Sequence, residues 1–149
     1  MSRVALLDVS VLVPLFKAGH THHQAAHDWL ADNVEFGWAS CPITENGLLR
    51  VLGNPSRADP FVPLAELVRR LKTFCDSAGH QFWSDSVSLS DSALFNTSAF
   101  RGHQQLTDVY LLGLAVKRGG RFVSFDRSIP LAAVKGATRA SLEVIAGEI

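Results

Sequence analysis

A chain of 149 residues, 47% apolar and 19% charged, is long enough to bury one proper core and is ordinarily globular. Its formal net charge is zero, which excludes an overall basic field that gathers nucleic acid; a phosphate-bearing partner must be held by local basic groups or a bound metal. Cys41 and Cys75 are the only cysteines, without CxxC or finger spacing, which favours a reduced compartment over a disulfide framework and leaves a single disulfide open.

The apolar run over residues 4–16 is too short for a membrane span, carries Asp8 in its middle and has no cleavage pattern after it, so the chain reads as soluble and cytoplasmic. Within it, residues 4–7 (VALL) are continuously apolar, the mark of a strand covered on both faces, and Asp8 ends them. Ser10 is placed to cap a short buried helix over 11–16. A second helix is expected over 20–33 with Ala25, Ala26, Trp29 and Leu30 inward, then a short aromatic strand over 36–40. Pro42 suits the first turn of a helix continuing through Leu52. There Leu48, Leu49 and Leu52 fall at i+3, i+4 and i+7 from Glu45, which puts that acid on the apolar stripe.

Gly53-Asn54-Pro55 stops this helix, and a polar loop is expected on the surface as far as Asp59 and Pro60. Residues 64–78 predict an amphipathic helix ended by Gly79, and 80–83 a third strand. Residues 84–102 are rich in serine but anchored by Leu89, Leu94, Phe95 and Phe100, with Ser90 placed to cap a short helix through Phe95. The stretch 106–126, LTDVYLLGLAVKRGGRFVSFD, reads as a helix, a two-glycine stop and a strand. Leu111, Leu112 and Ala115 stand at i+3, i+4 and i+7 from Asp108, so this acid too is aimed inward, where an unpaired ionised carboxylate costs several kcal/mol or more. A helical turn over 128–134 and an edge strand over 142–145 complete an α/β pattern: one domain over 1–149, its mostly parallel sheet of four to five strands flanked by helices.

In such sheets ligands gather outside the carboxyl ends of the strands. Asp8 and Asp126 end strands, and Glu45 and Asp108 stand in first turns of helices leaving the same edge, so the four acids are expected in one crevice. Carboxylates sharing a pocket repel one another unless some stay protonated or a cation joins them. One or two Mg²⁺ or Mn²⁺ ions prefer such oxygen ligands and suit hydrolysis of a phosphodiester. Ser10, Thr107 and Ser124 flank the acids and are placed to orient them or bound water.

The pieces LLDVSVLV around Asp8, ITENGLLRVL around Glu45, GHQQLTDVYLLGLA around Asp108 and FVSFDRSI around Asp126 run in that order over essentially the whole chain. In order and spacing they resemble the PIN-domain ribonucleases, and more closely the VapC-type toxins of bacterial toxin–antitoxin pairs. The resemblance implies a three-layer PIN-like fold and metal-dependent endonucleolytic cleavage of RNA, with Asp8, Glu45, Asp108 and Asp126 as the acidic cluster. It also implies a homodimer, and inhibition by a VapB-like antitoxin that inserts a segment into the acidic groove. One departure is local: the family more often has a Thr-Asn pair after the first Asp, where Val9 and Ser10 stand here.

Taken singly, each acid also has an ordinary reading: Asp8 as a helix cap, Glu45 and Asp108 as favourable charges at helix N-termini, Asp126 as a turn residue. His23 and His27 have an i, i+4 spacing that suits zinc, but a solvated helix face is the plainer reading. Arg127, Arg50 and His103 are candidate contacts to RNA or the antitoxin, Arg101 a weaker one, and Trp29, Trp38 and Trp83 read as core or interface. Two other functions fit the same residues: a housekeeping PIN nuclease in RNA processing, and a non-catalytic α/β binding module whose acids hold one structural ion.

Overall fold

The computed structural model describes residues 3–56 and 61–147. Strand β1 (Ala5–Leu7) is fully buried because it lies in the middle of a five-stranded parallel sheet of order β3-β2-β1-β4-β5. Its neighbours are β2 (Trp38–Ser40) and β4 (Arg121–Ser124); β3 (His80–Phe82) and β5 (Leu142–Val144) are the edges. Helices α1 (Val9–Phe16), α2 (His23–Asn33), α3 (Pro42–Leu52), α4 (Leu64–Cys75) and α5 (Leu106–Lys117) connect them. The α/β architecture with a parallel sheet is as expected. Among the described residues, no helix is long and apolar enough to cross a membrane.

Strand alternation divides the core in two. Ala5, Leu7, Trp38 and Val123 join a cluster with Leu12, Trp29, Leu48 and Leu71 from α1 to α4. Leu6, Ala39 and Phe122 face the other way and pack with Leu111, Leu112 and Ala115 of α5. The stripe predicted for α5 is therefore the buried one.

Several local expectations are corrected. Ser10 is not the cap of α1: the helix begins at Val9, Asp8 occupies the cap position without a side-chain cap bond, and the Ser10 hydroxyl serves Asp8 instead. Strand β2 starts at Trp38 rather than 36, because a tight turn over Val34–Phe36 ends on Gly37 at φ +85°, a conformation glycine adopts without a steric penalty. Helix α2 starts at His23, and α4 stops at Cys75, before Gly79. No helix forms from Ser90 to Phe95; a turn there is held by Asp91, whose Oδ1 accepts from the Ala93 amide at 3.0 Å. The predicted turn over 128–134 is a short 3-10 segment, Leu131–Ala133. The surface loop expected to reach Asp59 and Pro60 enters residues 57–60, outside the described residues.

His23 and His27 do more than face solvent. The His23 Nδ1 lies 2.6 Å from the Pro14 carbonyl and the His27 Nε2 3.0 Å from that of Leu15, so imidazole N–H groups satisfy carbonyls left open at the end of α1. Gly113 of α5 lies against the buried Phe95 ring, and a Cβ there would overlap the ring's Cζ and Cε1. Alanine is the better helix former by about 1 kcal/mol, but overpacking a dense core costs about 1–3 kcal/mol. Gly113→Ala is therefore expected to lower the urea midpoint; a higher midpoint would show that Phe95 moves freely.

Candidate active site

The carboxyl edge of the sheet is built by continuing β1 and β4 by one step. The Asp8 amide donates to the Val123 carbonyl at 2.9 Å, so Asp8 keeps the strand's alternation and points, like Leu6, toward the α5 layer. Ser124 follows Phe122 to the same face and is fully buried. Its hydroxyl donates to Asp8 Oδ2 at 2.7 Å, and Ser10 Oγ donates to the same oxygen at 2.8 Å. Ser124 Oγ accepts the Asp126 amide at 3.0 Å, and Ser10 Oγ accepts that of Phe125 at 3.1 Å. Two hydroxyls thus tie the first acid to the loop carrying the last.

Burial pushes the Asp8 carboxyl above its usual range, and the charge of Asp126 adds to this, against the lowering effect of the two serine bonds. Asp108, in the first turn of α5, is pushed up to about 7 by burial, by the charges of Asp8 and Asp126 and by a hydrogen bond with Asp126. Asp126 is lowered, chiefly by Ser128, whose hydroxyl and amide donate to Oδ1 at 2.7 and 2.8 Å. The turn-residue reading of Asp126 and its place among the acids both hold: a turn bond to Ser128 orients a carboxylate that also meets Asp108.

Glu45 stands in a second group. Ser40 lies one step from Ala39 and therefore points to the α1–α4 face, with Trp38 and, in register with Trp38, His80. Ser40 Oγ donates to Glu45 Oε2 at 2.6 Å and lies 2.8 Å from His80 Nε2. Ligand atoms of Glu45, Cys75 and His80 all lie within 4.8 Å of one another. Burial and the Glu45 charge raise the Cys75 thiol, while burial lowers His80 against the pull of Glu45. So three of the four expected acids act on one another, and the fourth is held by Ser40 in the layer of α1 to α4. No spacing in the chain announces the company of Cys75 and His80, which lie 30 and 35 positions beyond Glu45.

Of the remaining predicted residues, Thr107 is exposed and, among the described residues, makes no hydrogen bond to an aspartate; one position before Asp108, it lies about 100° around the helix. Arg127, Arg50 and His103 are exposed, and among the described residues none of them pairs with an acid.

The aspartate set is short of positive charge. Its donors are all oxygen, one carboxyl is kept protonated to about 7 by burial and by the charges of the other two, and a hard dication is the group whose binding removes that cost. Residues 5–135 match the family model described as the PIN domain. Ribonuclease VapC44 of Mycobacterium tuberculosis is 43% identical over 141 residues, covering 95% of this chain and 99% of that protein. Ribonuclease VapC38 of the same organism is 40% identical over 126 residues, 85% and 87% of the two chains. Among solved structures, VapBC2 from Rickettsia felis, bound to a DNA fragment from its promoter, contains a chain with a TM-score of 0.62 and 12% identity, covering 96% of this chain and 99% of that one.

Proposed function

Because the chain belongs to the PIN domain family, with VapC ribonucleases as relatives, we propose that it is a divalent-metal-dependent endoribonuclease and the toxin of a toxin–antitoxin pair. The observation that carries the chemistry is Asp108, raised to about 7 between Asp8 and Asp126 at the carboxyl edge of the sheet. Asp8, Asp108 and Asp126 would hold Mg²⁺ or Mn²⁺, one ion or two, and the motif around Glu45 supplies a fourth acid, held here by Ser40. A bound dication lowers the pKa of the attacking water and offsets charge on the phosphodiester.

The protein's own part is positioning. Ser10 and Ser124 pin one oxygen of Asp8, and Ser128 pins one of Asp126, so both carboxylates are oriented before substrate arrives. Arg127 follows Asp126 directly and is exposed, which suits contact with an RNA phosphate; His103 and Arg50 are further candidates for RNA or antitoxin. The partners this reading implies are a VapB-like antitoxin and a second copy of the chain. Phe61, Leu64 and Val68, all about half exposed or more, offer apolar surface for a protein partner at the start of α4.

The test is cleavage of a structured RNA by the purified chain. Cleavage is expected with Mg²⁺ or Mn²⁺, is expected to stop with EDTA, and is expected to be lost in Asp8→Asn. Cleavage that persists in EDTA would overturn the metal-dependent reading.

A further inference from the structure

We propose that Glu45, Cys75 and His80 form a second cation site, for Zn²⁺ or a cation of similar softness, which when filled withholds Glu45 from the aspartates. The geometry is that of a site before its ion: a carboxylate oxygen, a thiol sulfur and an imidazole nitrogen, from α3, α4 and β3, converge within 4.8 Å. Mixed sulfur, nitrogen and oxygen donors select zinc over the hard cations that suit an all-oxygen set. Binding of the ion displaces the thiol proton, and the dication then neutralises the thiolate and the neighbouring carboxylate together. Ser40 Oγ bridges Glu45 and His80 and serves as the outer partner that orients such ligands. Three protein ligands leave one tetrahedral position for solvent. All three side chains are partly exposed, so an ion has a way in.

The assignment of the site stands apart from the nuclease reading; only the consequence for Glu45 rests on it. The direct test is Co²⁺ added to the 149-residue chain, read by absorption. One equivalent is expected to give a near-ultraviolet thiolate-to-cobalt band, abolished by Zn²⁺, by Cys75→Ser and by His80→Ala, and retained in Asp8→Asn. No band, or a band that survives Cys75→Ser and so belongs to the buried Cys41, would overturn the site. Circular dichroism checks that the variants fold, and one equivalent of zinc lost from Cys75→Ser in a chelator competition gives the same answer without a spectrum. For the consequence, Zn²⁺ is expected to inhibit Mg²⁺-supported cleavage by the parent and to inhibit Cys75→Ser several-fold less. Equal inhibition of both would place the inhibitory ion at the aspartates and overturn the withholding of Glu45.

Discussion

Asp108→Asn is expected to lower RNA cleavage on the order of 10³-fold, since a dication contributes several kcal/mol to the transition state and each ~1.4 kcal/mol is tenfold. The same change is expected to stabilise the metal-free protein at pH 8. In the unfolded chain this carboxyl titrates near 3.8, and in the fold at about 7. Between those values the folded state holds the extra proton, so stability falls as pH rises through the window, and the whole cost is present above it. The group is half buried and screened by solvent, so about 1–2 kcal/mol is the expected gain for the amide, a rise in melting temperature of about 2–8 °C. At pH 3, below both values, the two proteins should melt together. Mg²⁺ should raise the melting point of the parent at pH 8 and that of the variant much less. A variant that melts lower than the parent at pH 8 would make Asp108 a structural cap.

Ser124→Ala is the second large effect. The hydroxyl is fully buried, donates to Asp8 Oδ2 and accepts the Asp126 amide, so its removal takes a donor from one acid and an acceptor from the loop of another. A buried group left without its partner costs about 1–3 kcal/mol, read from the urea midpoint. Because the serine bond lowers the Asp8 carboxyl, its loss drives that carboxyl further up and weakens cation binding. Loss of an orienting partner of this kind typically costs about 10–100-fold in metal affinity. Cleavage by Ser124→Ala should therefore need more Mg²⁺ and recover at high concentrations, whereas Asp108→Asn should not recover. An unchanged Mg²⁺ dependence would leave Ser10 alone as the group that orients Asp8.

The fold was legible because its signals are local. A four-residue apolar run, an acid at its end and the i+3, i+4, i+7 stripe below Asp108 specify a buried strand and the inward face of α5, and β1 and α5 are where they predict. Element ends were less legible. Gly37 shortens β2 through one positive φ, and a turn held by Asp91 replaces the helix expected to start at Ser90, because a side chain that bonds a nearby amide offers the backbone an alternative to the helix.

Chain order and motif by themselves determined the parallel α/β class, the acids at the strand ends and the serines, Ser10 and Ser124, that flank two of them, since these follow from periodicity and from residue chemistry. Only the tertiary structure decided which acids act on one another. Asp8 and Ser124 share the α5 face, while Ser40, one step out of phase, carries Glu45 toward Cys75 and His80 on the other. The reason is the two-residue period of a strand: pairing register sets the face to which every side chain goes, and register is established between segments far apart in the chain.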